Sequence, residues 1–212
     1  MKRYPVPAET IQSEIRVVNS RFIASLGPAF TVEEARGFIE RVKRRFPDAS
    51  HHVPVYLIGF GESVTAHASD AGEPSGTAGR PALAVLQGSG LGDVVVVVTR
   101  YFGGTKLGTG GLVRAYSDAV RAVLSQTRRA ERVLTQTVMV ELPYNLLERA
   151  RRLVSGNHGQ ILDEDFTSNV VITARFAVEH LPAFKDGLNE LTSGAAQVEI
   201  IETGEVLMPL EG

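Results

Sequence analysis

Two segments of the chain concentrate the residue types that bind anions or move protons. The first segment, Ser69–Gly79, combines acids, hydroxyls and glycines just ahead of a predicted helix. The first N–H groups of a helix are free and its dipole is positive there, so a phosphate or carboxylate can dock at such a start. The alternative is a surface loop whose hydroxyls only cap the helix. The candidate binding residues of this segment are Asp70, Gly72, Glu73, Ser75, Gly76, Thr77 and Gly79.

The second segment, Arg100–Gly111, lies between a predicted buried strand and another predicted helix. Gly103 and Gly108 have the spacing of a phosphate loop, but Thr109 stands where that motif needs lysine. A dinucleotide-binding pattern also fails, because Val113 replaces its third glycine. The segment therefore indicates general anion binding and does not support a nucleotide-dependent enzyme. Its candidate residues are Arg100, Tyr101, Phe102, Gly103, Gly104, Lys106, Gly108, Gly110 and Gly111, with Arg114 on the following helix.

Other arrangements that could catalyse a reaction are weak. His51, His52 and His67 could join Asp70 and Glu73 in a metal site or an acid–base pair, but no spacing such as HExxH is present. Cysteine is absent, which excludes thiolate chemistry, and no serine lies in a GxSxG motif. The sequence favours a protein without a metal or cofactor. It leaves catalysis open and favours a non-catalytic role.

The elements that position these segments follow from hydrophobic periodicity and turn residues. A capping box at Thr31 and a stop at Pro47 bound one amphipathic helix, and the second long helix buries a stripe that includes Tyr116. On its polar face, Arg114 and Asp118 have the spacing of an ion pair. The other predictions are strands Thr10–Val18 and Arg21–Leu26 around a turn at Asn19-Ser20, strand Val53–Gly61, loop Glu62–Gly79, helix Pro81–Leu86, strand Asp93–Thr99 and helix Gly111–Arg128.

The remainder of the chain follows a different order of elements. The pattern predicts strand Val133–Leu142, helix Tyr144–Ser155, strands Gly159–Phe166 and Asn169–Val178, helix Leu181–Thr192 and strand Ala196–Thr203. This β-α-β-β-α-β order is typical of a ferredoxin-like domain. We therefore predict an α+β protein of two domains, residues 1–130 and 131–212.

Composition and charge fit this division. The chain has 212 residues, of which 43% are hydrophobic and 22% charged, as in ordinary globular proteins. Its longest apolar run, Val94–Val98, is far too short for a membrane helix, and we expect a soluble cytoplasmic protein with no membrane partner. Residues 1–130 carry 16 Lys and Arg against 11 Asp and Glu, whereas residues 131–212 carry 6 against 13. The first domain is thus better suited to an anionic partner, although chance scatter on solvated surfaces would give the same asymmetry.

Both glycine-rich segments resemble the signature of a known family. The sequences SDAGEPSGTAGRP at Ser69–Pro81 and VTRYFGGTKLGTGGLVRAY at Val98–Tyr116 are similar to those of the YigZ/IMPACT family, as are Asn19–Ala24 and the pair His51-His52. Two positions depart from the family pattern. Ala71 replaces the second of two adjacent acids, and Val53 replaces a cysteine. A catalytic role that depends on an acid pair is weakened by the first departure.

The resemblance implies a fold and a setting. The N-terminal domain would share the βα superfold of a small-subunit ribosomal protein, elongation factor G domain four and GHMP kinases. The C-terminal domain would look like elongation factor G domain five. Eukaryotic relatives are linked to translational control during amino-acid starvation through protein partners, and fold analogy alone gives only associational support for transferring that role.

Three hypotheses follow from the motifs and the resemblance. The leading one is a non-catalytic regulatory protein that contacts RNA, the ribosome or a translation factor through both glycine-rich segments. The second is an enzyme or binding protein for a small phosphorylated ligand, with Asp70 and Glu73 as acid–base groups and Thr77 and Lys106 in the phosphate cradle. The third makes the segments structural, with Glu73 and Arg100 paired internally. The oligomeric state stays open.

Overall fold

The computed structural model describes residues 4–61 and 63–209 and contains two compact units. One unit takes in the described residues up to Glu131 together with residues 208–209, and the other is Arg132–Leu207. Each unit combines a β-sheet with helices, so the predicted α+β class is confirmed. Within the described part of the chain, no helix is long and apolar enough to cross a membrane.

The elements of the first unit are β1 (Pro5–Pro7), β2 (Ile11–Val17), β3 (Ser20–Pro28), α1 (Val32–Arg45), β4 (His51–Ile58), β5 (Thr65–Ala68), α2 (Gly79–Gln87), β6 (Val94–Tyr101) and α3 (Gly108–Leu124). This unit contains an antiparallel sheet with the strand order β2-β3-β6-β4-β5. The central strand β6 lies between two hairpins, β2–β3 and β4–β5.

Helices cover both faces of this sheet. The valines of β6 alternate between two cores, as side chains on a strand must. Val94, Val96 and Val98 pack with α2 and α3, whereas Val95 and Val97 pack with α1. All five valines are fully buried, which agrees with the prediction of a strand covered on both faces.

Several predicted boundaries were wrong. The β2–β3 turn is formed by Val18 and Asn19 rather than Asn19 and Ser20, and Val18 has φ 54°. The segment predicted as one loop contains strand β5, which pairs with β4 through its backbone although its side chains lack the alternating pattern. Helix α3 begins three residues earlier than predicted, at Gly108, and ends at Leu124. Strand β1 was not predicted.

The second unit has the strand order of a ferredoxin-like sheet. Its elements are β7 (Arg129–Leu142), a 3-10 turn (Tyr144–Leu146), α4 (Leu147–Gly156), β8 (Gln160–Phe166), β9 (Val170–Ala177), α5 (Leu181–Thr192) and β10 (Val198–Pro209). The strands follow the order β10-β7-β9-β8, in which β9 is antiparallel to both β7 and β8. The residues of β7 that precede this unit pair with β1. The predicted order β-α-β-β-α-β is confirmed, and α5 has the predicted bounds.

Candidate functional site

An ion pair between Glu73 and Arg100 joins the two glycine-rich segments. The Arg100 guanidinium lies 2.6 Å from the Glu73 carboxylate, and their side chains are only 6% and 3% exposed. Glu73 lies between β5 and α2, and Arg100 lies near the end of β6 on the face that packs against α3. These two candidates therefore bind each other inside the first unit, as the internal-pairing hypothesis expected, and are not free for a ligand.

Two further side chains complete this cluster. The Tyr116 hydroxyl donates to Oε1 of Glu73 at 2.7 Å. Burial raises the pKa of Tyr116, and its hydrogen bond to Glu73 raises it further. The ring of His51 bonds through Nδ1 to the Ala71 carbonyl at 2.9 Å, and its Nε2 lies 3.9 Å from Glu73. The cluster holds the first segment, the end of the sheet and α3 together.

The carboxylate of Asp70 occupies the start of helix α2. Its oxygens accept hydrogen bonds from the backbone N–H groups of Gly76 at 2.8 Å, Ala78 at 3.1 Å and Gly79 at 2.8 Å. Burial acts to raise the pKa of Asp70, but these three N–H groups and the charge of Arg80 outweigh it and lower the pKa. The anion expected at this helix start is thus supplied by the chain itself.

The β6–α3 loop, residues Phe102–Leu107, is held against the β2–β3 turn. The Gly103 N–H donates to the Ser20 hydroxyl at 3.3 Å, and the Asn19 amide donates to Thr105 at 3.5 Å. A Cβ atom on Gly103 would lie 1.9 Å from the Asn19 carbonyl oxygen. Only glycine fits this contact, because no real Cβ comes within 3.0 Å of a neighbouring backbone atom.

The remainder of the second segment is open to solvent. Lys106 and Arg114 are exposed, and Phe102 is 49% exposed. No side chain caps the start of α3 among the described residues, so its first N–H groups stay free. Tyr101, unlike Phe102, has polar partners on its own chain. Its hydroxyl donates to Asp48 at 2.9 Å, and its ring lies under the Arg21 guanidinium.

The predicted ion pair of Arg114 with Asp118 is replaced by a different one. Asp118 accepts from Arg121 at 2.7 Å, and both side chains are more than half exposed. Arg114 lies closer to the start of α3, and its side chain is exposed to solvent. The candidate residues that present positive charge to solvent are therefore Lys106 and Arg114, whereas Arg100 does not.

The structure does not bring the three candidate histidines together. His51 lies on the sheet face that packs against α2 and α3, and His52 points to the opposite face because it is adjacent on β4. His67 stacks on Tyr56, whose ring packs on the α1 side. In the part of the chain that the structure describes, no group of three His, Asp or Glu side chains could hold a metal ion.

Sequence reasoning missed the residues that tie the site together. Tyr116 was expected in the buried stripe of α3, but its hydroxyl contact with Glu73 was not. Ser20 and Ser50 accept from N–H groups of the β6–α3 loop. The pair His51-His52 was a sequence feature that indicated part of this cluster, because it matches the family pattern. In the structure, His51 contacts the Ala71 carbonyl.

Comparison with known proteins gives matches over nearly the whole chain. The family model of the Impact N-terminal domain matches residues 18–124, and a domain of unknown function, DUF1949, matches residues 140–195. An IMPACT family member of Haemophilus influenzae is 35% identical over 97% of this chain and 100% of its own length. IMPACT family member YigZ of Escherichia coli is 34% identical over 95% of this chain and 100% of its own. A crystal structure of a hypothetical protein covers 95% of this chain and 98% of its own, with 34% identity and a TM-score of 0.62.

Proposed function

The chain belongs to the IMPACT family, and from that premise we propose that it is a non-catalytic regulator of translation that contacts RNA or the ribosome through its β6–α3 loop. The observation that carries the proposal is the exposed, positively charged start of α3. Both glycine-rich segments were candidates for this contact. Only the second offers free N–H groups and free cations, so the proposal is restricted to that segment.

Phosphate contacts have three sources at this loop. Lys106 and Arg114 supply full positive charges, and the uncapped N–H groups at Gly108–Gly110 supply hydrogen-bond donors at the positive end of the α3 dipole. Contacts of this kind position a nucleic acid without reading its sequence. The expected binding is therefore salt-sensitive and weakly sequence-specific.

Phe102 supplies a surface on which an unpaired base can stack. Its ring is 49% exposed and lies at the beginning of the same loop. The inner side of the ring faces the Arg100 guanidinium, 5.5 Å from the ring centroid, and this contact fixes the ring in place. An exposed ring in a loop that also carries cations is typical of surfaces that bind single-stranded nucleic acids.

The alternative of a small phosphorylated ligand lacks the groups that it needs. Its proposed acid–base residues are already engaged: Asp70 accepts from N–H groups at and just before the start of α2, and Glu73 binds Arg100 and Tyr116. Thr77, its proposed cradle residue, donates its hydroxyl proton to the Pro74 carbonyl at 2.6 Å. These internal contacts favour the RNA or ribosome proposal over the ligand alternative.

The test is co-sedimentation of the purified chain with ribosomes and separate ribosomal subunits across a series of salt concentrations. The Lys106→Ala/Arg114→Ala variant is compared with Arg36→Ala/Arg44→Ala, which removes two exposed cations from α1 on the other face of the sheet. Loss of two phosphate contacts should reduce the salt slope by about 1.4–1.8, since each contact contributes about 0.7–0.9. The control variant should bind like the wild type. Equal salt slopes for all three proteins would reject the β6–α3 loop as the contact.

A further inference from the structure

An open cleft of about 970 Å³ lies between helices α2 and α3. Its α2 side is formed by Pro81, Ala84 and Val85, and its α3 side includes Val113 and Leu124. These apolar side chains are at least partly exposed, and Val113 is 37% exposed. They do not belong to the fully buried core of the unit. The cleft is thus an apolar surface that faces water.

The rim of this cleft is positively charged. Arg80, Arg121 and Arg129 line it, and no Asp or Glu is among the described residues of the lining. Arg129 is fixed by a hydrogen bond from its guanidinium to the Ser89 carbonyl at 3.0 Å. The partner of Arg121, Asp118, lies outside the lining. An apolar floor with three arginines around it requires a partner that is apolar on one side and acidic beside it.

We propose that this cleft binds an acidic amphipathic helix of a partner protein. The apolar stripe of such a helix would cover the floor between α2 and α3, and its flanking carboxylates would meet the three arginines. Helix α2 has nine residues and is therefore about 13 Å long, which matches two to three turns of a bound helix. This protein-binding surface is separate from the proposed RNA contact and does not depend on it.

The composition of the cleft favours a helix over an RNA strand. Among the described lining residues, none is aromatic, so a nucleic acid base has no ring to stack on. The cations stand at the rim of an apolar floor instead of following one another along a polar groove. Val113, Ser117, Arg121 and Leu124 recur at helical spacing along α3, and an apolar stripe of a second helix packs against such a ridge.

The test uses a fluorescein-labelled peptide of 14 residues that carries leucines at i, i+3, i+4 and i+7 and glutamates on both flanks. Binding to the intact chain is followed by fluorescence anisotropy. Two control peptides are a version with lysines in place of the glutamates and a scrambled version that has no apolar face. The glutamate peptide should bind at least tenfold more tightly than either control. Equal affinity for all three peptides would overturn the proposal.

Variants then locate the binding surface. Arg80→Glu/Arg121→Glu should weaken binding of the glutamate peptide more than tenfold, and Val113→Glu should do the same from the floor of the cleft. Arg36→Glu/Arg44→Glu makes the same change of charge on α1 and should leave the affinity unchanged. Each variant is first compared with the wild type by circular dichroism and urea unfolding. If the first variant does not fold, Arg80→Ala/Arg121→Ala takes its place, with an expected loss of several-fold.

Two other occupants give distinct results. If RNA occupied the cleft, its variants would lower ribosome co-sedimentation while peptide affinity stayed constant. If a second copy of the chain occupied it, the wild type would dimerise with rising concentration and Arg80→Glu/Arg121→Glu would be monomeric. Either result would overturn the proposal. Loss of peptide binding in the cleft variants, together with normal binding by Lys106→Ala/Arg114→Ala, would support it whether or not the RNA proposal holds.

Discussion

The Glu73 carboxylate and the Arg100 guanidinium lie 2.6 Å apart, and the two residues are separated by 27 positions in the sequence. One belongs to the segment before α2 and the other to the central strand β6. A charged pair that is this deeply buried contributes little when both partners are present, but removal of one partner leaves the other charge unpaired and out of water. Substitution of only one of the two residues should therefore strongly lower the stability of the first unit.

The first prediction follows from this pair. Glu73→Gln should lower the free energy of unfolding by about 3–5 kcal/mol, because the Arg100 charge stays buried without a counter-ion. Urea unfolding measures the loss. Asp118→Asn breaks the exposed pair with Arg121 and should cost less than about 1 kcal/mol. The double variant Glu73→Gln/Arg100→Met should be more stable than Glu73→Gln alone, because it no longer buries an unpaired charge. If the losses of unfolding free energy from the two single substitutions simply added in the double variant, the prediction would be wrong.

The second prediction concerns pH. The pKa of Asp70 is lowered in the folded chain, so its carboxylate stabilises the fold above its unfolded pKa of about 3.9 and loses this effect as the pH falls through the folded value. Asp70→Asn should cost about 1–2 kcal/mol at pH 7 through loss of the charged cap of α2. The difference between wild type and variant should shrink below about pH 4. If the unfolding free energies of the wild type and Asp70→Asn differed by the same amount from pH 7 to pH 3, the prediction would be wrong.

The third prediction uses two glycines of the second segment. Gly103→Ala should cost about 2 kcal/mol or more, because its new Cβ would meet the Asn19 carbonyl oxygen and displace the β2–β3 turn. Gly110→Ala, in the first turn of α3, meets no atom within 4 Å. This second change should stabilise the chain by about 0.5–1 kcal/mol, since alanine is the better helix former. Thermal unfolding of the two variants should shift in opposite directions.

The fourth prediction tests stacking on the β6–α3 loop. Phe102→Ala should lower the affinity for single-stranded RNA by about 5- to 150-fold, as loss of one base-stacking ring costs about 1–3 kcal/mol. Phe166→Ala is the matched control, because its ring is 52% exposed and lies in the second unit. Fluorescence anisotropy with a labelled oligoribonucleotide measures both. A similar loss in the two variants would show that the effect is not specific to the loop.

Local patterns were sufficient to predict most elements. Thr31 caps α1 as predicted, since its hydroxyl accepts from the Glu34 N–H at 3.1 Å, whereas the Glu34 carboxylate accepts from the Phe30 N–H at 2.7 Å and not from Thr31. The valine strand β6 and helix α5 were predicted from composition and periodicity. Strand β5 could not be predicted in this way, because Thr65–Ala68 is an edge strand of mostly exposed residues that is held by backbone hydrogen bonds to β4.

The contacts of the candidate site were harder to predict than its residues. An acidic residue ahead of a helix gives the same sequence pattern whether it binds a ligand or accepts hydrogen bonds from the backbone of its own chain. In the structure, Asp70 accepts hydrogen bonds from its own backbone. The partners of Glu73 are 27 and 43 positions away, so no local pattern relates them. The sequence shows that the polar residues are concentrated in two segments, and only the fold determines which of them face inward.

The central position of β6 has a consequence for how the first unit assembles during synthesis. Hairpins β2–β3 and β4–β5 are complete by Ala68, yet the strand that joins them begins only at Val94. Until that strand emerges, β3 and β4 each expose an unpaired edge that can recruit a strand from another nascent chain. Most of the pairing that closes the sheet is long-range, which slows folding. A chain whose synthesis stopped between Ala68 and Val94 would therefore be prone to aggregation.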